Sequence, residues 1–210
     1  MSSDHEGTSS NYGVSVVVLA AGRASRTQPL GHKLFAEFDS LPLVRRSTLI
    51  ASSCDCLSAV VVTGYRHAEM SALLADLPVS IVRNTEYENG MGLSLAYGVA
   101  AAQLDGPEGI MVILADMPAL TCGHLDKLID VFRLHNGQKI VRATGFGAPG
   151  NPVIFPKSTF QRLRSLRGDM GGRDLVRYSG LPVVPVEIGE AALMDVDTPE
   201  MIAAAGGRFV

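Results

Sequence analysis

Small residues and cations meet in Leu19-Ala20-Ala21-Gly22-Arg23-Ala24-Ser25-Arg26, which is followed by Lys33. Ala20, Ala21 and Gly22 let backbone amides approach an anion closely, while Arg23, Arg26 and Lys33 place three positive charges within eleven residues. That pattern suits the phosphate tail of a nucleotide. It is not a Walker A loop, because no Gly-Lys-Ser/Thr follows the glycine. Two acidic motifs complement it. Asp116 in Leu114-Ala115-Asp116-Met117-Pro118 ends an apolar run, where a carboxylate costs desolvation unless a cation meets it. Asp197, in Met194-Asp195-Val196-Asp197-Thr198-Pro199, precedes a Thr-Pro helix start. Mg²⁺ typically takes one or two protein carboxylates plus phosphate oxygens, so Asp116 and Asp197 are the expected metal ligands. Asp195 is equally readable as the cap of the last helix.

Two glycine clusters, Asn89-Gly90-Met91-Gly92-Leu93-Ser94 and Gly168-Asp169-Met170-Gly171-Gly172-Arg173, read singly as turns. Beside a nucleotide loop they gain chemistry: Gly90 and Ser94 near a helix start can meet a base or sugar, and Arg173 can hold a second anionic substrate. Gly145-Phe146-Gly147-Ala148-Pro149-Gly150 spells the dinucleotide fingerprint and has Asp169 downstream. It lacks the context, since Pro149 interrupts it and the extended run Asn151-Pro152-Val153-Ile154-Phe155 follows where a helix must open.

The elements that position these residues alternate in type. Apolar, β-branched runs at 14–19, 59–63, 79–82, 109–114 and 139–142 lack polar alternation, as strands buried on both faces do. Between them, 43–53, 68–75, 93–104 and 125–135 repeat apolar residues at helical spacing. The expected fold is α/β, a mixed, mostly parallel sheet flanked by helices. After Gly145 the rhythm becomes a strand at 152–155, a helix near 158–166 and a strand pair or extended edge over 181–188. Residues 1–13 read as a flexible tail before one domain spanning 14–210, with 145–150 the best candidate for any boundary.

With 47% apolar and 19% charged residues and a net charge of −3, the chain is neither disordered nor a nucleic-acid coat. Its apolar runs are far shorter than the roughly 20 residues of a membrane span. The expectation is a cytoplasmic protein with no membrane or nucleic-acid partner. Cys54, Cys56 and Cys122 are odd in number, and a Cys-x-Cys pair suits no ordinary disulfide framework, so they read as free thiols in a reducing compartment.

Together, the 19–22 loop with Ser25, Arg26 and Lys33, Gly90 with Ser94, Asp116-Met117-Pro118, Asn151 to Phe155, Gly168 to Arg173 and Asp195 to Pro199 resemble the MobA-like nucleotidyltransferases. Within that family they are most similar to the molybdenum cofactor cytidylyltransferases. The resemblance covers roughly residues 14–205. It implies a Rossmann-like nucleotidyltransferase fold, Mg²⁺ dependence, and transfer of CMP from CTP, or another NMP from its NTP, onto a molybdopterin-type acceptor, with pyrophosphate released. It further implies Arg26, Lys33 and Asp116 in catalysis, residues 19–23, Ser25, Gly90 and Ser94 around the nucleotide, and Asp169 and Arg173 at the acceptor. A molybdoenzyme of the xanthine dehydrogenase type would receive the product. The loop departs from the family's usual Arg-Met-Gly at Arg26-Thr27-Gln28. Rival readings are a sugar-phosphate nucleotidyltransferase, a non-catalytic escort for the molybdenum cofactor, and a nicotinamide-dependent reductase using Gly145 to Gly150.

Overall fold

The computed structural model describes residues 12–27, 30–168 and 172–210; the segment 1–11, most of the expected tail, lies outside them. In chain order the elements are β1 (Val14–Ala20), β2 (Glu37–Phe38), β3 (Leu41–Pro42), α1 (Leu43–Ser53), β4 (Ala59–Thr63), α2 (His67–Leu74) and β5 (Ser80–Arg83). There follow α3 (Met91–Ala102), β6 (Gly109–Leu114), α4 (Cys122–Leu134), β7 (Ile140–Gly145), β8 (Ala148–Pro156) and α5 (Phe160–Arg164). The chain closes with α6 (Gly172–Tyr178), β9 (Val183–Glu187) and α7 (Pro199–Ala204).

Seven strands form one sheet in the order β5-β4-β1-β6-β8-β7-β9. β5, β4, β1 and β6 pair in parallel, β8 runs antiparallel to β6 and β7, and β9 returns parallel to β7. The expected mixed, mostly parallel sheet is present. Both faces are covered, which is why β1 is apolar at every position but the buried Ser15: Val16 and Val18 pack with α1, α2 and α4, while Val17 packs with α3 and α5. Helix α3 lies very close to the sheet. A Cβ on Gly98 would stand 2.4 Å from Val17 Cγ1 and 2.8 Å from Val62 Cγ2, so the missing side chain sets the distance between layers.

The later third settles two readings left open by the sequence. Gly145 to Gly150 is a hairpin inside the sheet, with Gly145 paired to Ala148 and positive φ at Phe146 (52°) and Gly147 (79°), the geometry a two-residue strand turn requires. It opens β8 instead of a helix, so it has no amide end for a pyrophosphate. Of the two readings for 181–188 the extended edge is the one present: the single strand β9 ends the sheet. α6 and the small β2–β3 hairpin were not expected. With seven residues and Leu175 as its buried anchor, α6 is too short to show a helical repeat.

Candidate active site

Parallel strands release their loops on one side of a sheet, and ligands of open α/β folds bind there. Here β1 and β6 end in register, Leu19 opposite Leu114, and the following loops face each other across a cavity of about 440 Å³. Its wall contains Leu19, Ala20, Ala21, Gly22, Ser25, Arg26, Lys33, Gly90, Ser94, Asp116 and Asp197, all expected from the sequence. Asp195 lines it too. Arg23 turns aside to pair with Glu88 at 2.9 Å, tying the β1 loop to the 3-10 turn before α3.

Each functional side chain has a local reason for its place. Asp116 follows β6 on a turn braced from α1: Ser47 Oγ donates to Ala115 O at 2.9 Å and Arg46 Nε to Pro118 O at 3.2 Å. Val196, 1% exposed, packs in the core and its N–H donates to Asp116 O at 3.0 Å, while its neighbours Asp195 and Asp197 line the cavity. The cap of α7 is Thr198, whose hydroxyl accepts from Met201 N with Pro199 in the first turn. The capping reading of Asp195 is thereby replaced: neither aspartate is spent on the helix. Thr27, where the loop departs from the family pattern, is fully buried and closes a turn by donating through Oγ1 to Ala24 O at 3.0 Å.

The charges interlock. Lys33 Nζ donates to Asp116 Oδ2 and Asp197 Oδ1, both at 2.6 Å, and Arg26 donates to Asp197 Oδ2 at 2.7 Å. Burial alone would lower the lysine's pKa, but the two carboxylates outweigh it and hold it above its ordinary value. Burial raises Asp116, and the nearby Asp195 adds to this against the pull of Lys33. Asp197 is lowered, chiefly by its hydrogen bond from Lys33. The buried Asp116 Oδ1 has no hydrogen-bond partner. Asp116, Asp195 and Asp197 can each offer an oxygen with all three within 4.8 Å of one another. Three carboxylates facing two cations, one with an orphan oxygen, fit a divalent cation.

Two residues escaped the sequence reading. His32 is 3% exposed; its Nδ1 accepts from Leu34 N at 3.3 Å, which leaves the Nε2 proton to donate to Gly22 O at 2.9 Å. It thus fastens the nucleotide loop to the short helix that carries Lys33. Only its place in the 26–33 loop could have signalled this. Arg142 lies in a second cavity of about 400 Å³, with Asn151, Arg173 and the apolar Val112, Val153 and Phe155. Burial first, then Arg173, lowers the Arg142 pKa, so the two guanidinium groups sense each other. The cavities share Leu19, Met91 and Leu114. Ser94 is buried and already accepts from Asn84 Nδ2 at 2.9 Å, its own proton still available. The glycine clusters also meet, Gly92 N donating to Gly168 O at 3.0 Å. Asp169, expected at the acceptor, lies outside the described residues.

The family model of the MobA-like NTP transferase domain matches residues 16–183. Among characterised proteins, the purine catabolism protein PucB of Bacillus subtilis is 28% identical over 195 residues, covering 88% of this chain and 91% of that protein. Among solved structures, Rv0371c of Mycobacterium tuberculosis aligns with a TM-score of 0.81 at 24% identity, covering 92% of this chain and 96% of that one, and it has also been solved in complex with manganese. The 4-diphosphocytidyl-2C-methyl-D-erythritol synthase of Anaerococcus prevotii aligns with a TM-score of 0.72 at 15% identity, covering 92% and 94%. The fold is the Rossmann-like nucleotidyltransferase fold.

Proposed function

The chain belongs to the MobA-like NTP transferase family, and from that premise we propose that it transfers CMP from CTP to a molybdopterin-type phosphorylated acceptor, with Mg²⁺ as the metal. The observation that carries this reading is the junction of two cavities. One has the cationic loop and the carboxylate cluster, and the other has two arginines over an apolar floor. A nucleotide and an anionic acceptor with a flat ring system can therefore meet end to end over Leu19, Met91 and Leu114, the lining that the cavities share. Choice of CTP draws support from the fold shared with a synthase whose name states a cytidyl product. A divalent cation draws support from a neighbour's manganese complex and from the Asp116 oxygen left without a partner.

In this reading an acceptor phosphate oxygen attacks the α-phosphorus in line, and pyrophosphate leaves. The acceptor is already ionised at neutral pH, so no side-chain base is needed. Asp116 and Asp197, with Asp195 beside them, would hold the metal, which when bound neutralises charge on the phosphate oxygens. Ala20, Ala21 and Gly22 cradle the phosphates through backbone amides, with Leu19, Arg23, Ser25 and Gly90 shaping the nucleotide site and Ser94 offering a hydroxyl. Lys33 and Arg26 offset charge on the departing pyrophosphate, and Arg173 orients the acceptor. The free thiols suit a cytoplasmic setting, and a molybdoenzyme of the xanthine dehydrogenase type is the expected recipient.

The test is to incubate the protein with each of the four NTPs, Mg²⁺ and a molybdopterin acceptor and to measure pyrophosphate. Release that requires both CTP and the acceptor supports the reading. Release with a hexose phosphate instead identifies a sugar-phosphate transferase, and cofactor binding without any release identifies an escort.

A further inference from the structure

Outside both cavities, three free cysteines gather at the end of α1 and the start of α4. Cys54 closes α1 in extended conformation, and Cys56 N donates to Cys54 O at 2.7 Å. That bond between residues two apart makes a three-residue turn centred on Asp55. The turn is held from both sides: Asp55 N donates to Asp126 Oδ1 at 2.8 Å, and Arg133 donates to Asp55 Oδ2 at 2.6 Å. Consequently the two thiols point the same way. Cys54 Sγ lies 3.2 Å and Cys56 Sγ 3.3 Å from one and the same acceptor, the carbonyl oxygen of Ala51. Tight turns bring Cα atoms into the range of about 4.4–6.8 Å that a disulfide spans.

We propose that Cys54 and Cys56 form a reversible dithiol modification site whose oxidant is a hydroperoxide. Cys56, half-buried where Cys54 is buried, is the attacking thiol. The hydrogen bond from Cys54 lowers its pKa despite burial, which favours the thiolate. Its sulfur attacks a peroxide oxygen, the O–O bond breaks and water leaves after protonation, giving a sulfenic acid. The Cys54 sulfur then attacks the Cys56 sulfur, the S–O bond breaks, and a second water leaves as the S–S bond forms. Two thiols are oxidised by two electrons and one hydrogen peroxide is reduced to two waters.

Cys122 is the bystander. Its thiol contacts Ser53 O at 3.2 Å and Asp126 Oδ2 at 3.3 Å, and burial followed by that carboxylate raises its pKa. A metal is the weaker occupant, because the one three-ligand set among the described residues is the aspartate cluster of the active site.

The full chain treated with hydrogen peroxide and alkylated under denaturing conditions is expected to show its three alkylatable thiols reduced to one. Peptide mapping should join Cys54 to Cys56, and dithiothreitol should restore all three. Cys122→Ser should oxidise as the parent does, whereas Cys54→Ser should halt at a sulfenic acid trappable on Cys56. Three thiols surviving peroxide in the parent, or a disulfide that uses Cys122 or joins two chains, would overturn the proposal. Cys122→Ser decides it even if Cys54→Ser does not fold, since a variant holding only the pair must still lose both thiols.

Discussion

Lys33 is the residue on which the candidate site turns, because one ammonium, with its side chain only 14% exposed, bridges two carboxylates that otherwise repel. Lys33→Ala should lower kcat by roughly 10²–10³-fold, the range seen when a preorganised charge donor is removed. Lys33→Arg should not rescue it, since a planar fork cannot stand between two oxygens that a point charge meets at 2.6 Å each. Steady-state pyrophosphate release checks both, and an unchanged kcat in Lys33→Ala would remove the residue from the mechanism. His32 yields a pH prediction. Burial lowers its pKa first, with Arg66 and Lys33 adding to the effect against the Gly22 carbonyl, so the ring folds neutral. The unfolded chain binds a proton below about pH 6.5 while the folded chain does not. His32 stabilisation is therefore complete above that value and is lost as pH falls through the lowered folded pKa. His32→Gln keeps a donor and an acceptor but cannot titrate, so its Tm should decline less than the parent's below pH 6.5. Parallel Tm-against-pH curves for the two proteins would refute this. The sequence showed the cations and carboxylates by type, but His32 makes its bonds to Gly22 and Leu34 backbone, which no side-chain motif records.

Elements place these side chains through packing that follows simple patterns where runs are long. The bounds of β4, β6 and α1 coincide with those read from residue periodicity, because strands and helices buried against a two-sided core repeat without interruption. The tail of the sheet was less legible. Antiparallel β8 begins in an Ala-Pro-Gly stretch whose composition signals a loop, and its strand character comes from pairing with β6 and β7. Helix α3 gives the test at this scale. Alanine in place of a helical glycine usually gains about 1 kcal/mol, but a methyl on Gly98 would meet Val17 and Val62 below contact distance. Overpacking a buried interface costs about 1–3 kcal/mol, so Gly98→Ala should be destabilising by up to about 2 kcal/mol. Any relief by lifting α3 would carry Gly90 and Ser94 away from the nucleotide cavity and raise KM for the NTP. A denaturation midpoint at or above the parent's would show that the layers tolerate the methyl.

At the scale of the whole molecule, the fold's work is to bring Arg26, Lys33, Asp116, Asp195 and Asp197 to one point. Two backbone links close that circuit: Val196 N donates to Asp116 O, and Glu37 and Arg208 exchange backbone hydrogen bonds near the chain's end. No helix among the described residues is long and apolar enough to cross a membrane. The sequence could nominate Asp116 and Asp197 separately, but not the proximity of Asp195, which depends on where Val196 is buried. A ligand that binds the converged carboxylates and not the unfolded chain must stabilise the entire fold. At a divalent cation concentration of 100 times Kd that linkage is about 2.7 kcal/mol. For a chain of this size it corresponds to a Tm rise of roughly 5–10 °C, which differential scanning fluorimetry with Mg²⁺ or Mn²⁺ against a chelator can read. Asp195→Asn separates this from generic salt effects. The amide leaves the Lys33 bridges intact and relieves the charge that raises Asp116, so the chelated variant should melt at or above the parent's temperature. With one ligand weakened, it should also lose most of the metal-dependent rise. An undiminished rise in Asp195→Asn would place the cation elsewhere.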